Sequence, residues 1–136
     1  MRTKSGLIMV ILVSSILFSA FVVFPGDQPD RPFQQDVEID LNMSDKVYEI
    51  VKTSCFDCHL SNSKNNKAKK AMAFDLISRE APMKQISKLT DICNEINDGN
   101  MPPEKYIKNF PESELTEAQI KAVCDWVKKE SGKFVR

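Results

Sequence analysis

Polar and apolar positions fall into three regimes along the chain. Residues 7 to 24, "LIMVILVSSILFSAFVVF", run without a charge, and Arg2 and Lys4 precede them. Residues 25 to 43, "PGDQPDRPFQQDVEIDLNM", are dense in proline and acidic side chains. From about residue 44 onward, apolar residues recur three and four positions apart, the spacing of one face of a helix. Strand patterns are absent from this reading.

The first regime is at the length of a transmembrane helix, roughly 18 apolar residues or more. It exceeds the ~7–15 residues of a signal-peptide core. Its end, "FSAFVVFPG", lacks a pair of small residues two apart for cleavage, and no cysteine follows closely to carry a lipid. Residues 1–24 therefore read as an uncleaved signal anchor, with a cleaved signal peptide as the alternative and a buried core helix as the plainest reading. Basic residues before the helix keep that end in the cytoplasm. The rest of the chain would then stand on the periplasmic side of the cytoplasmic membrane, in an oxidising compartment. With cleavage it would be soluble there.

Residues 25–43 read as a flexible linker. Pro25, Gly26, Pro29 and Pro32 break helices, and Asp27, Asp30, Asp36, Glu38 and Asp40 keep the segment solvated. As a coil it spans on the order of 25 Å.

Residues 44–136 form the domain. Ser44 caps a first helix with Val47, Ile50 and Val51 on one face. "LSNSKNNK" is a polar loop, and a short helical segment fits Ala68 to Ser78. Pro82 suits the first turn of a helix whose apolar stripe is Ile86, Leu89, Cys93 and Ile96. Gly99, in "NDGN", is its left-handed terminator. "TEAQ", Thr116 to Gln119, is a capping box opening a helix that buries Ile120, Val123, Cys124 and Val127 and stops near Gly132.

Composition narrows the function. The 136 residues carry 19 Lys plus Arg against 19 Asp plus Glu, so no nucleic-acid footprint is visible. A domain of about 90 residues makes a small core, which gains from a large internal ligand.

The chemistry concentrates in "SCFDCHL", which holds the single histidine of the chain, His59, and two of its four cysteines, Cys55 and Cys58. C-x-x-C-H is the pattern of covalent haem attachment. Residues three apart in a helical turn share a face, so two thiols reach two vinyl groups of one porphyrin. The next residue then brings its imidazole under the ring centre. Zinc is the first alternative, but a tetrahedral set would need Cys93 or Cys124 from far away. A thioredoxin-like dithiol would need a strand–helix context, and a chance cluster is the remaining reading.

With no second histidine, a second axial ligand to iron must come from elsewhere, and methionine raises the potential. Of the six methionines, Met1 and Met9 lie in the apolar run and Met43 before the first helix. Met72 and Met83 read as core residues, with either as an alternative ligand and a five-coordinate or water-ligated iron as the other alternative. Met101, in "DGNMPPEKY", sits on a loop stiffened by Pro102 and Pro103 and is the expected distal ligand.

The motifs "CFDCHLSNS", "AFDL" and "DICNEINDGNMPPEKYIKNFPESELTEAQIKAVCDWVKKE", in that order, resemble the small monohaem c-type cytochromes of the "haem-binding domain" family of bacterial envelopes, over roughly residues 45 to 130. The resemblance implies an all-α, cytochrome c-like fold around one covalent haem c. It carries the haem cysteines onto Cys55 and Cys58, the proximal ligand onto His59 and the distal one onto Met101. Better-known class I cytochromes have a Gly-Pro pair some ten residues past the histidine, whose carbonyl orients the imidazole. "LSNSKNNKAKKAMAFDL" has neither residue, so the acceptor behind His59 is not legible here.

Tyr106 and Trp126 are candidate donors to haem propionates, or simply packed aromatics with wet polar tips. Lys64, Lys67, Lys69 and Lys70 form a basic run that either steers an acidic partner or is a solvated loop. Asp57 reads as solvent-facing. Cys93 and Cys124, each on an apolar stripe, are expected to pair if the stripes pack together; otherwise they are small buried hydrophobes. The expected whole is a membrane-anchored, single-pass electron carrier serving redox partner proteins of the bacterial envelope, and not an enzyme. Peroxidase chemistry lacks the acid–base groups it needs. A haem-based sensor or gas-binding module with a displaceable Met101 is the alternative.

Overall fold

Capping chemistry sets the helix boundaries in the computed structural model, which describes residues 37–134. The expected membrane span at 7–24 and most of the linker lie outside these residues. Ser44 accepts the Val47 amide at 3.4 Å and opens α1 (Asp45–Ser54). Asn65 accepts the Ala68 amide at 3.0 Å and opens α2 (Asn66–Ala71). A 3-10 turn, Phe74–Arg79, follows. The single helix expected over 68–78 is thus two pieces, split by extended backbone at Met72 (φ −159°, ψ 135°).

Pro82 begins α3 (Pro82–Asn97). Gly99 ends it with φ 72°, a left-handed conformation that side chains disfavour. A short α4 (Glu104–Asn109) and a 3-10 turn (Pro111–Ser113) come next. Both bonds of the capping box between Thr116 and Gln119 are made at the start of α5 (Glu117–Ser131), which ends at Gly132. The described residues are all helix and connection, with no strand. Among them no helix is long and apolar enough to cross a membrane.

α5 packs mainly on α3 and also on α1. Val51, Leu60, Phe74, Ile77 and Leu89 are buried at the centre. The inward face of α3 is Gln85, Leu89, Ile92 and Ile96, so Gln85 takes the buried place expected for Ile86 and Ile92 joins the stripe. Gln85 can lie inside because its amide donates to the carbonyls of Ser78 (3.1 Å) and Glu80 (2.7 Å). A buried amide without such partners would be costly.

The last residues of the expected linker join the domain. Leu41 is 7% exposed, and Val37, Ile39 and Met43 pack against the same core. The Trp126 indole donates to the Asn42 carbonyl at 3.2 Å, and the Tyr48 hydroxyl to that of Val37 at 3.4 Å. "VEIDLNM" alternates apolar and polar residues, the rhythm of an extended segment laid on a core. The proline and acidic residues upstream mask that rhythm.

Cys93 on α3 and Cys124 on α5 form a disulfide, with α carbons 5.1 Å apart. The bond closes a loop over a sequence separation of 31 and encloses Met101. Cys93→Ala with Cys124→Ala should lower unfolding stability by roughly 3–4 kcal/mol in the chain-entropy account. Guanidinium titration of full-length protein with and without the bond reads it.

Candidate haem site

After Ser54 the chain turns through the cysteine pair. The amides of Cys58 and His59 both donate to the Cys55 carbonyl, at 3.2 and 2.9 Å. Phe56, between the two cysteines, is 2% exposed. Its ring meets Tyr48 edge-on at 5.7 Å and Phe74 at 5.5 Å. This apolar anchor fixes the turn to the core and leaves Cys55, Cys58 and His59 on the wall of a cavity of about 510 Å³. That volume is in the ~300–1,000 Å³ range of ligand sites.

Behind the motif, Ser63 is buried and knits the loop together. Its hydroxyl donates to the Asp57 carbonyl at 2.7 Å and accepts the Asn65 amide at 3.0 Å. Its carbonyl accepts the Lys69 ammonium at 2.8 Å. Of the basic run, Lys69 is therefore committed to the loop, while Lys64, Lys67 and Lys70 are exposed. Ser61 donates through its amide and hydroxyl to the Asp75 carboxylate, tying the same loop to the 3-10 turn.

The acceptor for His59 is the backbone carbonyl of Met72, 3.1 Å from Nδ1. A carbonyl only accepts, so Nδ1 donates the proton, and in the neutral ring Nε2 has its lone pair for a ligand. The Phe74 amide donates to the His59 carbonyl at 2.9 Å, so both ends of His59 rest on the α2–Phe74 connection. The extended backbone at Met72, which splits the expected helix, is what allows this pairing. A backbone carbonyl has no side-chain signature, so only the fold identifies it.

All five expected site residues line this cavity: Cys55, Cys58, His59, Met101 and Tyr106. Met101 is brought there by the end of α3, whose Glu95 carbonyl accepts the amides of Asn100 (3.0 Å) and Met101 (3.2 Å). Met72 also contributes to the wall, whereas Met83 is 76% exposed and Met43 packs against the core. Ala68, Phe74, Ile92 and Pro102 supply apolar lining.

The structure gives Asp57, Tyr106 and Trp126 specific partners. Asp57 is half-buried and faces the cavity, its carboxylate accepting the Tyr106 hydroxyl. While that bond stands, the single Tyr106 hydroxyl proton is committed to Asp57. Trp126 is buried against the Leu41 segment and is not among the residues lining the cavity.

Charge at the cavity is mixed. Lys67 and Lys88 line it beside Asp57, Asp91 and Glu95. Lys88 pairs with Glu80 at 2.7 Å, and that hydrogen bond holds the Glu80 carboxyl below its usual range. Burial of the sulfur pushes the Cys55 thiol up to about 12, with Cys58 adding to the rise, although the residue as a whole is half-buried. Cys55 is thus a protonated thiol at neutral pH.

The donor set fits a haem better than the alternatives. Cys55 and Cys58 are not joined to each other. Zinc would need Cys93 or Cys124, and both are in the disulfide. Among the described residues no group of three or more His, Cys, Asp and Glu is placed to hold a metal ion. Two thiols, an oriented imidazole and a thioether on one largely apolar cavity match a porphyrin with an iron centre.

No curated protein and no solved structure matches the chain. The family described as "Haem-binding domain" matches residues 62–129, half of the chain. The match starts just after His59 and takes in Met72, Met101, Tyr106 and the disulfide. The cavity, its oriented histidine and this match agree: the chain belongs to the haem-binding domain family.

Proposed function

We propose that the chain is a membrane-anchored monohaem c-type cytochrome with His/Met-ligated iron, carrying single electrons on the periplasmic side. The observation that carries this reading is the shared cavity of Cys55, Cys58, His59 and Met101, with Nδ1 of His59 already bonded to a carbonyl. In it, Cys55 and Cys58 would hold one haem c through thioethers, and Nε2 of His59 and the Met101 sulfur would ligate its iron. Met72 is the weaker choice because its carbonyl holds the far side of the same imidazole. Lys67 and Lys88 offer counter-charge to the haem carboxylates.

When bound, the haem supplies a one-electron iron couple. The chain's own residues orient the imidazole and exclude water with the apolar wall of Ala68, Phe74, Ile92 and Pro102. Burial and hydrogen bonding of this kind tune a haem's potential. In this reading the protein is a carrier in a cytochrome c-like all-α fold, not an enzyme, and its partners are redox proteins of the bacterial envelope.

Carbon monoxide added to the reduced full-length protein tests it. An unchanged spectrum is expected of a carrier whose thioether stays bound. Rapid formation of a carbon monoxide adduct would favour a sensor or gas-binding module instead.

The anchor belongs to the same proposal. Residues 7–24 should keep full-length protein in the membrane pellet through carbonate washing, while a chain beginning at Pro25 behind a cleavable signal should be released. A mature terminus beyond residue 20 would contradict the anchor.

A further inference from the structure

Met101 stands on a segment with few helical neighbours. Its amide is held by the Glu95 carbonyl at the end of α3. Beyond Pro102 and Pro103, α4 meets only the Pro111–Ser113 turn among the described helical elements. Ser113 in that turn is buried and its hydroxyl donates to the Thr53 carbonyl at 3.2 Å. The middle of the segment carries Tyr106, whose ring packs on Phe110 at 4.9 Å and whose hydroxyl donates to the Asp57 carboxylate. Asp57 lies between the two haem-attachment cysteines, 49 positions away in the chain. A charge-assisted hydrogen bond therefore joins the segment bearing Met101 to the motif bearing Cys55, Cys58 and His59.

We propose that Tyr106 is a positioning residue for Met101: its hydroxyl, bonded to Asp57, closes the Met101 segment onto the attachment motif and sets how readily another ligand displaces the thioether. This rests on the His/Met reading above. Met101 is displaced most readily when its segment swings away, and that swing breaks or strains the Tyr106–Asp57 bond. Removing the bond costs the closed form its stabilisation and leaves an open form unaffected, so the balance shifts toward displacement.

The test uses haem-loaded, full-length protein in detergent, titrated in the ferric state with imidazole while the near-infrared sulfur-to-iron band is followed. Tyr106→Phe should bind imidazole roughly tenfold more tightly, the effect of one such bond. Asp57→Ala should match it, and the double variant should add nothing beyond either single change. Asp57→Asn, which keeps an acceptor for the hydroxyl, should recover most of the difference. A merely structural role would lower the unfolding midpoint without moving imidazole affinity. Wild-type affinity in Tyr106→Phe, with the band present, would overturn the proposal while leaving Met101 ligation intact. A wild-type protein that lacks the band would overturn both, and Met101→Ala would then leave the spectrum unchanged. Should Tyr106→Phe fail to accumulate, Asp57→Ala against Asp57→Asn makes the same comparison.

Discussion

Replacing both Cys55 and Cys58 with alanine should abolish covalent haem attachment. The two thiols line the same cavity as His59, and neither is used in a disulfide. In the proposed attachment each would form its thioether by adding S–H across a vinyl double bond, so each alanine would leave one vinyl group intact. Single variants should therefore keep at most one thioether, and the pyridine haemochrome band should move toward that of a haem with one free vinyl. The double variant should lose its haem to acidified organic solvent, while the wild type retains it. The fold around the turn should survive, because Phe56 anchors it through Tyr48 and Phe74 rather than through the cysteines.

Met101→Ala should remove the distal thioether. Loss of the near-infrared sulfur-to-iron band is the first expected sign. The potential should fall by on the order of 100 mV, within the roughly 0.8 V that axial ligands span. Carbon monoxide should then bind the reduced form readily. Met72→Ala should do none of this, since the carbonyl that Met72 contributes to His59 survives the substitution. If Met72→Ala abolishes the band and Met101→Ala spares it, the assignment is reversed.

Much of this was legible in the sequence wherever a side chain acts on its own backbone. Ser44, Pro82, Gly99 and the Thr116–Gln119 box mark helix ends by local chemistry, and each stands where its residue type requires. The C-x-x-C-H motif is legible for the same reason, since its spacing is local. What escaped depends on distant groups. Gln85 lies outside the predicted stripe and is buried because the carbonyls of Ser78 and Glu80 come to meet it. Asp57 reads as solvated until α4 delivers Tyr106. The α2–Phe74 connection reads as one helix until His59 claims the Met72 carbonyl. The pairing of Cys93 with Cys124 lies between these cases. The stripes are local, but their packing is a property of the fold. "VEIDLNM" is different again: its alternation was visible, and its neighbours' composition outweighed it.

The central claim is that this cavity holds one haem bonded to the chain through Cys55 and Cys58. Intact mass of the full-length protein, made alongside haem-attachment machinery and measured under denaturing conditions, tests it most directly. The expected result is the mass of the chain plus a single haem. The mass of the unmodified chain would contradict it.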